Sequence, residues 1–348
     1  MNKNTTAVFA TYQARRTKKQ KTAFAQYICS AAAESGFVAN VETTKNKARN
    51  IVVGDVANAS VVYTAHYDTA SESFVPSFIF PKAPILTTLY QVAVALAMLV
   101  PSLLGYLLGV ALLPAIITVM PKSVGALIGI ALAVAAFVVA MRFVLCGKAC
   151  ENTANSNTSG VATLLEIMAN LPGEYRNHVA FVFLDAQENG FIGAADFAKK
   201  HKNLKHSFVL NFDCVGVGDH FIVATKKATA YNDALNAAFS SEGKITAEVV
   251  KGAKRLPSDH NKFKCSAGVS AFTKKGNSLS LVIKSNGSDT ACDEGNIAYA
   301  TAAAIKLVKY ISNPDAIAAD LAAKAPAAVE SKVEAPASEE GEKSEETV

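Results

Sequence analysis

Residues 83–121 contain no charged side chain, and beyond Lys122 a second uncharged run covers 123–141. No other feature of the 348 residues restricts the fold so strongly. A helix that crosses a bilayer needs about 20 apolar residues, and the two runs supply two such lengths. They read as spans over 87–113 and 124–145, with a turn at 119–123. Pro101 and Pro114 would kink the first span or help to end it, which membrane helices tolerate. A split at Pro101 would instead give three shorter spans. That odd number would leave the flanking halves of the chain on opposite sides of the membrane. The motifs below need those halves together, which selects two spans. A buried soluble hairpin is disfavoured because both runs are apolar on every face. Lys82, Arg142 and Lys148 flank the outer ends, against Lys122 alone at the turn, and this bias places the remainder of the chain in the cytoplasm. The expected location is therefore the cell membrane, multi-pass, with lipid contact through residues 84–146.

The flanks read as ordinary globular sequence. A helix is expected over 5–35, ended by Gly36. Strands follow at 38–43, 50–53 and 60–66. After the apolar block, helices at 158–171, 191–201, 228–241 and 294–311 alternate with strands at 178–185, 207–212, 220–224, 269–273 and 280–284. Such alternation implies an α/β fold with a mostly parallel mixed sheet and helices on both faces. The domain would be discontinuous, formed by 1–83 and 147–312. The tail 313–348 holds nine acidic residues and three lysines, a net −6 against a chain total of +5. Its Ala, Glu, Lys, Pro and Ser cannot bury enough apolar surface to offset ordering, so it is expected to be disordered. The rest of the chain carries +11, with Arg15, Arg16, Lys18, Lys19 and Lys21 clustered near its start. These read as a solvated helix face. No basic–aromatic interleaving suggests nucleic acid. Residues 1–21 are polar, so no secretory leader is read there. Six scattered cysteines without a CxxC pair are expected to be reduced thiols.

Polar residues gather where the strands end, the place at which open α/β sheets put ligand sites. One strand ends in His66-Tyr67-Asp68. The next delivers Asp185-Ala186-Gln187-Glu188, and another ends in Asn211-Phe212-Asp213. The loop Asn155-Ser156-Asn157 precedes a helix, while Ser258-Asp259-His260 and Ser288-Asp289-Thr290 come later. One imidazole and carboxylates from separate strand ends can converge on a metal, and Asp68 is placed to orient the ring of His66. Singly, each motif is more often structural; the ordered set is far more specific.

The set HYD (66–68), NTSGVATLLEIM (157–168), VAFVFLDAQENGFIGAADFAKKH (179–201), NFDCVG (211–216), SDH (258–260) and SDT (288–290) resembles the M28 metallopeptidases, the zinc aminopeptidase family. The resemblance covers nearly all of 1–312 outside the apolar block. It implies two zinc ions on five protein ligands, and a glutamate base that activates a metal-bridging water. Carried over by position, it makes His66, Glu188 and Asp213 remnant metal ligands and Asp68 the residue orienting His66. Three positions depart. Ser156 stands where family members carry the bridging Asp. Gln187 stands at the general base, and Ser285 at the last His ligand. A short neutral hydroxyl cannot bridge two dications, and an amide has no useful basicity. Catalytic zinc normally keeps three protein ligands and a water. At most one weakly bound zinc is then expected. Asn155, Asn157, Asp259, His260 and Cys292 are the candidates to compensate, with His260 read as lining the pocket without a metal. His178, His201, His206 and His220 read as surface residues.

Three functions follow. The first is a membrane-anchored M28 homologue with impaired or absent aminopeptidase activity that binds a peptide or a membrane protein. The second is an active zinc aminopeptidase with a rearranged mononuclear site. The third is a scaffold for the apolar hairpin and the acidic tail.

Overall fold

The computed structural model describes residues 1–324 apart from positions 74, 98, 118–120, 146–147, 228 and 253–254. It opens with two helices, α1 (Lys3–Thr11) and α2 (Lys18–Glu34), where one was expected. The break is set by Thr17, whose side chain caps α2 in a capping box with Gln20. Arg15 in the connecting turn is 0% exposed rather than solvated, and Lys21 forms an ion pair with buried Asp185. Only Lys18 and Lys19 of the basic cluster are fully exposed.

Strands β1 (Ala39–Thr43), β2 (Arg49–Gly54), β3 (Val61–His66) and β4 (Ser77–Ile79) follow. Beyond the apolar helices described below, α6 (Ser159–Asn170), β5 (Val179–Leu184), α7 (Ile192–Lys200), β6 (Phe208–Phe212) and β7 (His220–Lys226) continue the alternation. They are followed by α8 (Asn232–Ala238), β8 (Thr246–Lys251), β9 (Ser266–Lys275), β10 (Ser278–Ile283) and α9 (Glu294–Ser312). The strands form one sheet in the order β1-β2-β5-β3-β6-β9-β10-β4, with β7 and β8 branching from β9. Pairing is parallel through β5-β3-β6-β9 and antiparallel on either side. The expectation of a mostly parallel sheet thus holds for the centre and for the β7–β8 pair, and the sheet as a whole is mixed. Short connections make β1–β2 and β9–β10 antiparallel hairpins, while β2–β5 and β4–β10 are antiparallel pairs between strands distant in sequence.

The alternating strand residues sort the core. Tyr63, Phe181, Phe183, Leu210 and Phe212 face α2, α6 and α9 on one side. Val62, Ala180, Val182, Leu184 and Val209 meet Ala194 and Phe197 of α7 on the other. Each buried Phe contributes roughly 1.5–3 kcal/mol relative to exposure. Both faces of the parallel centre are thus covered by packed side chains, and its strands deliver the ends that carry the site.

The apolar block is three helices: α3 (Pro84–Ala97), α4 (Val100–Ile117) and α5 (Lys122–Leu145). The single first span expected over 87–113 is broken near Leu99. Pro101 sits in the first turn of α4, where its missing N–H costs nothing, and it starts a helix instead of kinking one. Among the described residues one helix is long and apolar enough to cross a membrane, and its window Lys122–Val139 is only 11% buried. α4 and α5 pack closely through glycines. A Cβ on Gly109 would lie 2.4 Å from the Cα of Gly129, and one on Gly105 2.9 Å from the carbonyl oxygen of Leu132. Leu103, Leu104, Leu107, Leu127, Ile130 and Val134 point outward and are exposed.

The tail expected to be disordered from residue 313 begins with a helix, α10 (Asp315–Lys324). Asp320 pins it to α9 by accepting from Lys309 and from Tyr310, both at 2.9 Å. The remainder, 325–348, lies outside the described residues.

Candidate functional site

Four elements meet at the carboxyl edge of the parallel strands. β3 ends in His66, and the turn after it carries Asp68. Gln187 and Glu188 follow β5, Asp213 follows β6, and Ser156 lies in the π-helical turn that leads into α6. His66, Ser156, Gln187, Glu188 and Asp213, together with Ser258 and Ser285, line a cavity of about 420 Å³, with Asp68 buried behind His66. The sequence-derived site residues therefore converge. Ser285 reaches the cavity as well, but through a hydroxyl.

His66 is 2% exposed. Its Nδ1 lies 3.4 Å from Asp68 Oδ1, and its Nε2 lies 3.7 Å from Asp213 Oδ1. Burial alone would lower the pKa of this imidazole; the Asp213 and Asp68 carboxylates outweigh it and raise it well above the ordinary imidazole value. Asp68 also accepts the backbone N–H groups of Gln187 and Glu188, at 3.0 and 3.1 Å. It thereby ties the β3 and β5 ends together, beyond the ring-orienting part the sequence assigned to it.

Asp213 is the centre of the arrangement. Gln187 Nε2 donates to its Oδ2 at 3.1 Å, Ser258 Oγ donates to the same oxygen, and Cys214 Sγ donates to Oδ1 at 3.2 Å. Burial would raise its pKa, but His66, Ser258 and Cys214 bring it down to about 2. Gln187 Oε1 in turn accepts from Ser258 Oγ at 3.3 Å. Glu188 is pushed up toward about 7 by burial within the cleft, with Asp68 and Asp213 adding and His66 opposing. Solvent reaching its side chain at the cleft mouth tempers that rise. On the other flank, buried Asp289 accepts from the backbone of Asn155 and Ser156, at 3.1 and 2.8 Å.

This donor set does not fit two zinc ions. A bridging carboxylate and a last imidazole are replaced by the hydroxyls of Ser156 and Ser285. Both oxygens of Asp213 already accept hydrogen bonds from protein donors. Among the described residues no three His, Cys, Asp or Glu side chains gather in a ligand array.

None of the expected compensating residues lies against this centre as a ligand. Asn155 Oδ1 accepts from Gly216 N at 2.8 Å, and Asn157 Nδ2 donates to Asp68 O at 2.7 Å. Cys292 packs against Gly216. His260 was expected to line the pocket. It is 0% exposed and lies over Gly268 of β9 instead, because a Cβ at that glycine would meet its ring at 2.5 Å. Asp259 beside it is fully buried, and its carboxyl oxygens have no hydrogen-bond partner among the described residues. His178, His201, His206 and His220 are exposed or half-buried, as expected.

Sequence reasoning gave no role to three contributors. Ser258 sits directly before the Asp-His pair that drew attention. Arg15 donates to Tyr67 O and Asn157 Oδ1, both at 2.6 Å, and so joins the His66 and Ser156 loops. Burial lowers its pKa to about 9, against the opposing pull of Asp68. Gln91 of α3 also lines the cavity. It is the only amide side chain in the uncharged run 83–121, a signal that could have been read.

Residues 141–308 match the family model for Peptidase family M28, the portion that begins at the end of α5. LapA aminopeptidase of Legionella pneumophila is similar in structure. It has 12% identity and a TM-score of 0.50, and the alignment covers 89% of this chain and 69% of that one. LapB of the same organism aligns at 13% identity and a TM-score of 0.49, over 88% of this chain and 69% of its own. A Bacteroides thetaiotaomicron glutaminyl cyclase aligns at 12% identity and a TM-score of 0.49, over 88% of this chain and 97% of its own. No curated protein matches the sequence. Residues 141–308 thus match peptidase family M28, and the chain shares its fold with the LapA aminopeptidase.

Proposed function

We propose that the chain is a membrane-anchored M28 homologue that binds peptide or protein through its cleft and hydrolyses little or nothing. The observation that carries this reading is the state of Asp213. Its carboxylate is taken up by Gln187, Ser258 and Cys214. The residue at the base position thus acts as a hydrogen-bond donor and has no lone pair of useful basicity for a water proton. The chemistry left to the cleft is recognition. Glu188 lines the cleft and is exposed at its mouth, and its ionised form favours a positively charged group such as a peptide amino terminus. The hydroxyls of Ser156 and Ser285 can bond the neighbouring amide.

Anchoring rests on α4 and α5. Glycines bring the two helices together while leucines and valines face outward, the arrangement membrane helix pairs use when lipid replaces water. At 24 residues, α5 is about 36 Å long. That length exceeds a hydrocarbon core of about 30 Å. Lys82, Arg142 and Lys148 on the domain side, against Lys122 at the turn, favour a cytoplasmic domain.

Calorimetry on the full chain in nanodiscs tests the binding role. A short peptide with a free amine is expected to bind about ten-fold more tightly than its N-acetylated form. Glu188→Gln should erase the difference. Equal affinity for the two peptides would count against amine recognition. The second reading, an active mononuclear aminopeptidase, draws on Glu188, because a carboxyl raised toward about 7 suits a general base. Chelator-sensitive turnover by the wild-type chain would favour it.

A further inference from the structure

α3 separates its side chains in an unusual way. Thr87, Tyr90, Gln91, Val94 and Ala95 follow a spacing of three and four residues and so share one face. That face is turned to the protein. Thr87 is buried and accepts from Phe80 N at 2.9 Å, Tyr90 donates to Pro76 O, and Gln91 lines the cleft with His66, Glu188 and Asp213. Tyr90, Gln91, Val94 and Ala95 also wall a second cavity of about 380 Å³, which shares Ser77, Glu188 and Ser285 with the first.

The opposite face holds Ile85, Leu89, Val92 and Leu96, which are 75%, 59%, 49% and 59% exposed. A water-facing helix would carry its polar residues there, and in α3 the order is reversed. At 14 residues the helix is about 21 Å long, too short to span. It runs from Lys82, at the domain edge, into the exposed apolar pair α4 and α5 after a break at Leu99.

We propose that α3 lies in the membrane interface, with Ile85, Leu89, Val92 and Leu96 in lipid and Gln91 forming the bilayer-side wall of the cleft. The inference rests on the membrane reading of α4 and α5, with which α3 is continuous. It adds that the cleft opens along the bilayer surface. The ligand class is then a polypeptide segment next to its own membrane anchor, in preference to a freely diffusing peptide.

The chain contains no tryptophan, so single introduced Trp residues report without background. The full chain, reconstituted in phosphatidylcholine vesicles with brominated acyl chains, is compared as Leu89→Trp, Leu96→Trp, Val134→Trp on α5 and Val38→Trp on the exposed domain surface. Bromines near the headgroups should quench Leu89→Trp and Leu96→Trp about two-fold, as fits a face set ~5–10 Å into the headgroup boundary. Deep bromines should quench Val134→Trp most, and Val38→Trp should be unaffected. If Val134→Trp is quenched while both α3 reporters behave like Val38→Trp, the interfacial placement fails and membrane insertion stands. If the α3 reporters follow the deep bromines as Val134→Trp does, α3 spans and the proposal is overturned. An unquenched Val134→Trp overturns both readings.

Discussion

Gln187 Nε2 donates to Asp213 Oδ2 at 3.1 Å, which places the amide of one strand end on the carboxylate of the next. A carboxylate at position 187 would face Asp213 with like charge. Gln187→Glu alone is therefore expected to destabilise the protein by about 1–3 kcal/mol near neutral pH, through the lost charge-assisted bond. The loss should shrink in acid, where the new carboxyl is protonated, and no turnover should appear. Thermal midpoints across pH in detergent check this; an equally stable variant would remove Asp213 from its central place.

Arg15→Lys keeps the positive charge and removes the fork that reaches Tyr67 O and Asn157 Oδ1 together. An ammonium is a point donor and cannot span both loops. With buried acceptors left unsatisfied, a loss of roughly 3 kcal/mol is expected. Protease sensitivity of the 155–158 turn should rise with it.

Asp259 gives a pH dependence with a defined sign. Burial raises its pKa well above the ordinary carboxylate range. The folded state therefore holds a proton that the unfolded chain releases above about pH 4. Its contribution is complete below that pH and is lost as the pH rises toward the folded value. Asp259→Asn removes the titration. The variant is expected to match the wild type in acid and exceed its thermal midpoint at neutral pH. A lower midpoint at neutral pH would show that the carboxylate is paired.

What the sequence alone reveals of the site follows from where each residue sits. His66, Gln187, Glu188 and Asp213 end strands whose buried, β-branched or aromatic runs are easily recognised, and the parallel centre then brings those ends together. Arg15 escaped because arginine is almost never fully buried, and nothing local marks a guanidinium that joins two distant loops. The break between α1 and α2 was written in the Thr17–Gln20 capping pair, yet the apolar spacing across it looked continuous. α3 was hidden for the opposite reason: in a run apolar on all sides, periodicity does not show where one helix ends and the next begins.

Gly109→Leu probes the α4–α5 contact. The closest atom to a Cβ at that position is Gly129 Cα at 2.4 Å, and overpacking of this kind costs about 1–3 kcal/mol. The variant should melt earlier in detergent. Leu103→Ala, on an exposed outward position, should leave the midpoint unchanged.

The most direct measurement of the central claim is the zinc content and aminopeptidase turnover of the purified full chain, beside the variant Ser156→Asp/Gln187→Glu/Ser285→His. The wild-type chain should hold well under one zinc and show no chelator-sensitive turnover, with zinc binding gained when the three side chains are restored. Stoichiometric zinc in the wild type, with turnover abolished by chelation or by His66→Ala, would contradict that claim.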